Sequence, residues 1–268
     1  MTTTETDGLY RVTIARYGRR STTRSQVYLN FHIYGLPDDP VDMDYFVWVI
    51  QNDHRTVVVD TGYSEAGGRN RGRGHDLHPG EIFAELGVTG APDVVVTHAH
   101  YDHAGNLDLF PRSRVIMSGA ERDFWAGPMA ERTLFAHSKE DEDLAELQRA
   151  DREGRLVTFR DRLELAPGIE LIEVGGHTPG QIVVTAATAE GTVLLASDAV
   201  HYYEEYEDDL PFRTVADLPG MYTAFDTIRE MERTGRIQHL VSGHDPSTLG
   251  RFTPVTTGRL AGVAAVIG

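Results

Sequence analysis

Runs rich in β-branched and aromatic residues, separated by short polar stretches, dominate the opening third of the chain and predict β-structure there. A stretch rich in glycine and arginine follows at residues 64–80 and is typical of a mobile surface loop. Pro79, near the end of that stretch, is well placed to begin a helix. The strands predicted in this third are residues 9–17, 26–34, 45–51 and 55–60, all paired antiparallel.

The rest of the chain mixes helical and extended patterns. A short apolar run at residues 93–97 predicts a buried strand, and residues 121–155 predict helix with Leu144 and Leu147 on one face. The charged run within it, residues 139–143, is most simply a solvated helix face. Strands are also predicted at residues 169–174, 181–187 and 192–197, followed by a helix at 221–234 and a last strand at 239–242.

The two strand-rich halves each close with helix, which predicts one layered α/β domain at residues 9–268, with sheets inside and helices outside. The N-terminus lacks a basic start followed by an apolar run, and nowhere do about 18 apolar residues stand together. We therefore expect a cytoplasmic protein with a flexible tail at residues 1–8 and no membrane partner. The sequence leaves the oligomeric state open, a homo-oligomer included.

Composition narrows the chemistry. The chain has 25 Lys and Arg against 41 Asp and Glu, a formal net charge of −16, which argues against nucleic acid as a partner. It contains no cysteine, so disulfides, thiolate nucleophiles and thiolate metal ligands are excluded. The sequence also has no nucleophilic serine elbow, no Walker lysine motif and no glycine-rich dinucleotide fingerprint. Any metal must therefore be bound by nitrogen and oxygen, and we expect a small-molecule substrate.

Four potential metal ligands lie within six positions, directly after a Val-Val-Val run. In an extended segment, residues two apart project to the same side, so His98 and His100 can grip one ion together. Asp102 and His103 follow at once, where the chain turns towards Gly105, and they can face a second ion beside the first. Zinc accepts imidazole and carboxylate ligands in such sites. An isolated histidine is more often structural, but this density favours a metal site.

Three further candidates, His177, Asp198 and His244, recur near the ends of predicted strands. Loops at strand ends are where an α/β scaffold presents side chains to a ligand. Their small neighbours leave room for a metal ion, so we expect them to join the same site.

The set of motifs resembles the metallo-β-lactamase superfamily, from the Asp-Thr-Gly that begins at Asp60 to His244, over roughly residues 26–250. The resemblance implies an αββα sandwich with two mixed sheets inside and helices outside. It also implies two divalent metal ions, zinc being the metal we expect, with iron or manganese as alternatives. By the same resemblance His98, His100 and His177 would hold the first metal, Asp102, His103 and His244 the second, and Asp198 would bridge both.

Within that superfamily the chain is most similar to quorum-quenching N-acyl homoserine lactonases, in which His-X-His-X-Asp-His is followed by Ala-Gly, as at Ala104 and Gly105. That likeness implies a dinuclear hydrolase that opens a lactone by attack of a metal-bridging hydroxide. Another ester, a thioester or a β-lactam stays open as the substrate. A di-iron redox protein is the alternative enzyme class, disfavoured because the chain shows no flavin-binding domain. A non-catalytic binding module is disfavoured because all seven expected ligands are present.

One position departs from those lactonases. They commonly carry a tyrosine three residues after the bridging aspartate, where it contacts the substrate carbonyl, and here that position holds His201, followed by Tyr202 and Tyr203. The equivalent hydrogen bond could come from any of the three, or the pocket could serve another ester-like substrate. Asp102 is our candidate for carrying a proton to the leaving oxygen, with a ligand role alone as the alternative. Asp60 is expected either to orient a metal ligand or to cap its own turn.

The expected pocket residues are aromatic or soft side chains in segments that flank these motifs. Arg69, Arg71 and Arg73 could meet an anionic substrate, although arginines in a glycine-rich loop are more often simply solvated. The residues expected in the pocket are Phe124, Trp125, Met129, Phe135, Tyr202, Tyr203 and Phe212.

Overall fold

A computed structural model describes residues 8–268. The flexible tail expected at residues 1–8 therefore lies, apart from Gly8, outside the described residues. Within the described range, no helix combines the length and the apolar character needed to cross a bilayer.

The described residues form strands and helices in an alternating order. The strands are β1 (Arg11–Thr23), β2 (Pro40–Gln51), β3 (Thr56–Val59), β4 (Asp93–Val95), β5 (Val115–Ser118), β6 (Leu156–Phe159), β7 (Arg162–Ala166), β8 (Ile169–Glu173), β9 (Ile182–Thr188), β10 (Gly191–Ser197), β11 (His239–Ser242), β12 (Thr253–Pro254) and β13 (Ala264–Ile267). The helices are α1 (Arg24–Val27), α2 (Glu65–Asn70), α3 (Pro79–Glu85), α4 (Tyr101–Ala104), α5 (Gly119–Trp125), α6 (Thr133–Ala136), α7 (Asp141–Arg152), α8 (Tyr203–Glu207) and α9 (Leu218–Arg233).

The strands form two mixed sheets. The larger has the order β12-β13-β1-β2-β3-β4-β5-β6, and the smaller has the order β11-β10-β9-β8-β7. Neighbours from β3 to β6 run parallel, as do β10 and β11, whereas the other paired neighbours run antiparallel. Parallel strands bring their carboxyl ends to one edge of a sheet, which is where the loops after β3, β4, β10 and β11 begin.

Side chains alternate between the faces of each sheet and so define the layers. Val57 and Val59 of β3 join an inner cluster shared by both sheets, together with fully buried Trp48. Val58, between them, packs outward in a cluster that includes residues of α3 and α7. On the far side, Phe225 of α9 packs against the smaller sheet. The α/β/β/α layering expected from the sequence is confirmed.

The strand predicted at residues 26–34 is wrong. The segment contains the end of α1 and a 3-10 turn at Phe31–Ile33, and Asn30 between them has a left-handed φ of 50°. An extended strand cannot continue through that conformation. Val27, Tyr28 and Phe31 are buried in the outer cluster of the larger sheet, and the only strand-like pairing there among the described residues is an isolated bridge between Tyr28 and Phe212. The β-like composition therefore mainly reflects burial.

The helix predicted at residues 121–155 is broken into α5, α6 and α7, with a 3-10 turn at Pro128–Glu131. Pro128 cannot donate the hydrogen bond that would continue α5, so the helix stops before it. The prediction that Leu144 and Leu147 share one face of the last helix is confirmed, since both are buried.

The prediction that residues 139–143 form a solvated helix face is partly wrong. Lys139 and Asp143 are buried, whereas Asp141 and Glu142 are exposed. The Lys139 ammonium lies 3.1 Å from Glu131 and 2.5 Å from Asp141, which compensates its burial.

The glycine-rich stretch at residues 64–80, predicted as loop, contains α2. A Cβ at Gly68 would lie 2.8 Å from the ring of Tyr63, so this glycine permits a close approach inside the helix and does not mark a loop. Ser64 caps α2 by accepting a hydrogen bond from Gly67 N at 3.1 Å. The prediction of a helix beginning at Pro79 is confirmed by α3.

The strand predicted last is confirmed as β11 but is not last. The short strands β12 and β13 follow it, and β13 pairs with β1. Strands β5, β6 and β7 were also missed, because each has only four or five residues and falls within or beside the predicted helix.

Candidate metal centre

The candidate ligands meet at the edge where the parallel strands end. His98 lies three residues after β4, Asp198 directly after β10, and His244 two residues after β11. His177 lies in the loop between β8 and β9, and all four side chains are buried. Strands thus fix the start of each loop, and short loops leave the side chains little freedom to move apart.

A first group of donor atoms converges from three imidazoles and one carboxylate. The Nδ1 of His100 lies 3.1 Å from His98 Nε2 and 3.0 Å from His177 Nε2. One carboxylate oxygen of Asp198, Oδ2, lies 3.3 Å from His177 Nε2 and 3.7 Å from His98 Nε2. All four donor atoms lie within 4.8 Å of one another.

A second group lies on the other side of the same aspartate. The other oxygen of Asp198, Oδ1, is 3.2 Å from His103 Nε2 and 3.1 Å from His244 Nε2. Asp102 completes this group, with Oδ1 4.0 Å from His103 Nε2. The seven residues named from the sequence therefore form two adjoining donor groups that share Asp198.

The donor groups fit divalent metal ions. Ligands about 2.0–2.1 Å from a tetrahedral ion lie about 3.3 Å from each other, close to the separations in the first group. Among the described residues, the buried atoms His103 Nε2, His244 Nε2 and Asp198 Oδ1 make no hydrogen bond. Buried polar atoms are normally satisfied, so three such atoms aimed at one point indicate a missing positive partner.

Carboxylate and carbonyl oxygens hold the second group in place. Asp60 Oδ2 lies 2.7 Å from His103 Nδ1, and the same carboxylate accepts hydrogen bonds from Thr97 N and Oγ1. The Nδ1 of His244 donates to the backbone oxygen of Asp44 at 2.7 Å. Such partners fix the orientation of an imidazole ligand. Asp60 was expected either to orient a metal ligand or to cap its own turn. Its contact with His103 favours the first of these roles.

The backbone is strained at two of these positions. Asp60 has φ 59° and Ser197, next to Asp198, has φ 47°. Non-glycine residues at positive φ are uncommon and persist only where the surroundings hold them. Thr97 Oγ1 supplies that restraint for both, at 2.7 Å from Asp60 Oδ2 and 2.8 Å from Ser197 Oγ.

Glu121 is a supporting residue that the sequence interpretation missed. Its fully buried carboxylate accepts hydrogen bonds from Ala99 N, Trp125 Nε1 and Gly180 N, at 2.6–3.0 Å. It therefore ties the loop that carries His98 to the loop after His177. The available signal was weak, a single glutamate in a charged stretch just after an apolar run.

Burial lowers the pKa of each imidazole in the first group. The pKa of His100 falls to about 4, and those of His98 and His177 fall well below the usual value. Neighbouring imidazoles add to the effect for His98 and His177. The three rings are therefore neutral near pH 7, the form in which imidazole binds a metal.

The second group has the opposite electrostatics. Burial alone would lower the pKa of His103, but the carboxylates of Asp198 and Asp60 raise it well above its usual value. Burial alone would raise the pKa of Asp198, but His103, His201 and His244 together lower it. This half of the site concentrates negative charge that a cation would neutralise.

His201 also lies in the centre. Its Nε2 is 3.1 Å from Asp198 Oδ2, and its ring stacks on Phe212 at 3.8 Å between centroids. Its Nδ1 lies 3.0 Å from Glu205, a fully buried carboxylate that also accepts hydrogen bonds from three backbone N–H groups. Although burial opposes it, Glu205 and Asp198 raise the pKa of His201 to about 9. Glu205 was missed, although a glutamate four residues after a histidine is a usable signal.

The two tyrosines after His201 point elsewhere. The hydroxyl of Tyr202 donates to the backbone oxygen of Asp42 at 3.1 Å. The hydroxyl of Tyr203 donates to the backbone oxygen of Leu240 at 3.1 Å. A catalytic role for Tyr202 therefore stays a prediction that these contacts do not favour.

A cavity of about 600 Å³ opens onto the donor groups, and Phe212 lines it. Phe124, Trp125 and Phe135 line a small adjoining cavity beside His100 and His177. Three pocket predictions are wrong, because Met129, Tyr202 and Tyr203 line neither cavity. Met129 is half exposed, whereas Tyr202 and Tyr203 are buried.

The fold and the donor groups define a metal-dependent hydrolase of the α/β class. The family model of the metallo-beta-lactamase superfamily matches residues 42–242, and the chain belongs to that superfamily.

Similar proteins extend the comparison. An N-acyl homoserine lactonase of a Bacillus species is 24% identical over 193 residues, 66% of this chain and 72% of that protein. An N-acyl homoserine lactonase of Agrobacterium fabrum is 30% identical over 189 residues, 62% of this chain and 66% of that protein. A hydroxyacylglutathione hydrolase of Cupriavidus metallidurans is 27% identical over 163 residues, 60% of this chain and 51% of that protein. The crystal structure of a quorum-quenching N-acyl homoserine lactone lactonase is similar in fold, with a TM-score of 0.72 at 20% identity, covering 89% of this chain and 93% of that one.

Proposed function

We propose that this protein is a dinuclear metal-dependent hydrolase that opens a lactone, a cyclic ester. The observation that carries the proposal is the position of Asp198, whose two carboxylate oxygens each face a different group of buried donor atoms. A carboxylate shared in this way is suited to bridging two cations. The lactonase relatives favour a cyclic ester as the substrate.

In this proposal His98, His100 and His177 would hold one ion, Asp102, His103 and His244 would hold the other, and Asp198 would be available to both. Bound divalent ions, most readily zinc, would polarise the substrate carbonyl and lower the pKa of water towards neutrality. Asp60 would keep the proton of His103 on Nδ1 when a metal ion displaces the proton on Nε2, so that Nε2 could hold the ion.

The reaction adds one water across the acyl carbon–oxygen bond. The hydroxyl joins the acyl carbon, the bond to the ring oxygen breaks, and a proton goes to that oxygen to give a hydroxy acid. Asp102 is our candidate for moving the proton, because its carboxylate can accept it at Oδ2, the oxygen not assigned to the donor group, and release it to the leaving oxygen. His201, held by Glu205, is our candidate for donating a hydrogen bond from Nε2 to the carbonyl oxygen in the transition state.

A thioester is the second candidate substrate. It is favoured by the hydroxyacylglutathione hydrolase relative, although the alignment spans only 51% of that protein. The same residues could serve it, since only the leaving atom changes.

The test measures metal content and hydrolysis together on the purified protein. Metal is measured by plasma mass spectrometry, and acid release is followed with a pH indicator on homoserine lactones, γ- and δ-lactones, aryl esters, a thioester and a β-lactam. We expect about two zinc ions per chain and a preference for one lactone class. His98→Ala should lose both metal and turnover, whereas His32→Ala, at an exposed histidine outside the site, should lose neither. Iron with no acid release would refute the proposal, and a thioester preference would select the second candidate.

A further inference from the structure

Four arginines line the cavity above the candidate metal centre: Arg20, Arg71, Arg73 and Arg213. The carboxylates among its lining residues are Asp102 and Asp198, both assigned above to metal. The chain as a whole has 41 acidic and 25 basic residues, so this local excess of positive charge runs against the composition. We propose that the cavity binds a substrate whose lactone ring carries a carboxylate, held by Arg20 and Arg73.

The proposal singles out these two arginines because the others are engaged. Arg71 forms an ion pair with Glu140, donates to the backbone oxygen of His137, and lies 3.7 Å over the ring of Tyr101. Arg213 is exposed and donates to Gln26 Oε1 at 2.7 Å. Both are therefore structural or peripheral parts of the cavity wall.

Arg20 and Arg73 are only partly exposed, and within residues 8–268 neither has a carboxylate partner within 4.0 Å. Arg20 Nε instead contacts the sulfur of Met43 at 3.3 Å. The Arg73 guanidinium lies 5.0 Å from the ring centroid of Tyr45 and 5.2 Å from that of Tyr101. The Asp102 carboxylate acts electrostatically on Arg73 but is assigned above to metal, so neither guanidinium has a carboxylate of its own, and a bound anion would supply one.

The two guanidinium groups converge on one place beside the metal centre. Arg20 Nε contacts Met43 Sδ, which lies 3.6 Å from the Tyr45 hydroxyl, and the Arg73 guanidinium lies 5.0 Å from the Tyr45 ring centroid. The ring of Tyr45 lies 5.1 Å from that of His244, a residue of the second donor group. An anion between the arginines would therefore lie beside the reacting carbonyl without occupying its place.

A carboxylate suits this site because a guanidinium offers parallel N–H donors that match its two oxygens. The cavity, at about 600 Å³, has room for a small ring with such a substituent. The assignment of a lactone ring to this substrate rests on the proposed function. The assignment of a carboxylate on that ring rests on Arg20 and Arg73 alone.

The experiment compares γ-carboxy-γ-butyrolactone with its primary amide, which has nearly the same shape but no charge. We expect kcat/KM to be about 10- to 100-fold higher for the carboxylate, a range that corresponds to one or two charge-assisted hydrogen bonds. The double variant Arg20→Gln with Arg73→Gln should abolish this preference, mainly through a higher KM for the carboxylate. Arg19→Gln is the matched control, because Arg19 is the exposed neighbour of Arg20 outside the cavity.

A calorimetric titration with glutarate separates this inference from the proposed function. If neither lactone is opened but glutarate binds the wild type and Arg19→Gln and not the double variant, the anion site stands and the lactonase proposal fails. If lactones are opened with no preference for the carboxylate, or with a preference that survives in the double variant, the anion site is refuted. Equal glutarate binding by all three proteins, without turnover, would refute both.

Discussion

The floor and the rim of the cavity are built in different ways. The floor is the set of seven donor residues from His98 to His244, which lie at or near strand ends and are 0–8% exposed. The rim is the set of four arginines defined above, which lie at the end of β1, in the loop after α2 and in the segment before α9. The floor is thus fixed by the ends of strands in two sheets, whereas three of the four rim arginines lie in loops and only Arg20 lies in a strand.

This difference suggests that the floor carries out the chemistry and that the rim selects the substrate. Donor atoms about 3 Å apart must be positioned precisely, and strand ends with restrained backbone provide that precision. A guanidinium on a long side chain tolerates small shifts and can adapt to different anions. Substitutions on the floor should therefore affect metal and every substrate alike, and substitutions on the rim should affect substrates unequally.

The largest effect is expected from Asp198→Asn on the floor. Asparagine keeps the shape but loses the charge and one of the two oxygens that face the donor groups. We expect metal content to fall in both groups and turnover of all substrates to fall to background. Metal analysis by plasma mass spectrometry checks this, and retention of full metal content would remove the basis for a bridging role.

A smaller effect on the floor is expected from Asp60→Asn. The amide cannot accept from His103 Nδ1 with a full negative charge, so we expect metal affinity to fall roughly 10- to 100-fold. Competition with a zinc chelator measures the affinity. Asp161→Asn is a close control, since Asp161 also has φ 59° but is exposed and outside the site. A similar loss in both variants would attribute the effect to the backbone and not to His103.

The floor was predictable from the sequence and the rim only in part, whereas the supporting residues Glu121 and Glu205 were not. Four of the ligands, His98, His100, Asp102 and His103, lie within six positions directly after an apolar strand. Such a density of ligand-type residues indicates a metal site without knowledge of the fold. Glu121 supports the same loops through backbone N–H groups that are distant in sequence, and no local pattern reports such a contact.

The fold shows the same limits. The hydrophobic pattern correctly predicts long apolar strands such as β2 and β10. It wrongly predicts a strand at residues 26–34, because buried aromatic residues there have the composition of a strand. Of the three arginines expected either to meet an anionic substrate or to be solvated, Arg71 and Arg73 line the cavity and Arg69 does not. No local pattern connects Arg73 with Arg20, which lies in a strand. Only tertiary packing brings the two together above the floor.

At the boundary between floor and rim, Glu205→Gln should produce a moderate loss of stability. The buried carboxylate accepts hydrogen bonds from three backbone N–H groups and contacts His201. In glutamine, the side-chain NH2 would replace one of the accepting oxygens and would face backbone N–H groups that also donate. We expect a cost of about 1–3 kcal/mol, a fall in Tm of about 2–4 °C for each kcal/mol. Thermal unfolding checks this, with Glu207→Gln on the same helix as the exposed control. Metal content should stay unchanged, which distinguishes this variant from Asp198→Asn.

The smallest effect is expected beneath the rim, at Asp143. Burial, with Glu140 and Glu142 nearby, raises the pKa of this carboxyl from 3.8 to about 8. Because the folded state binds its proton more tightly than the unfolded state, its stabilising contribution is complete below about pH 4 and is lost as the pH rises towards 8. Asp143→Asn removes the ionisation, so its Tm relative to wild type should rise from pH 5 to pH 9, by a few degrees. Glu164→Gln, at an exposed residue, should show a difference that does not change with pH. If the difference for Asp143→Asn is also constant, this carboxyl is already ionised in the folded protein. Its negative charge would then act on Arg71 of the rim.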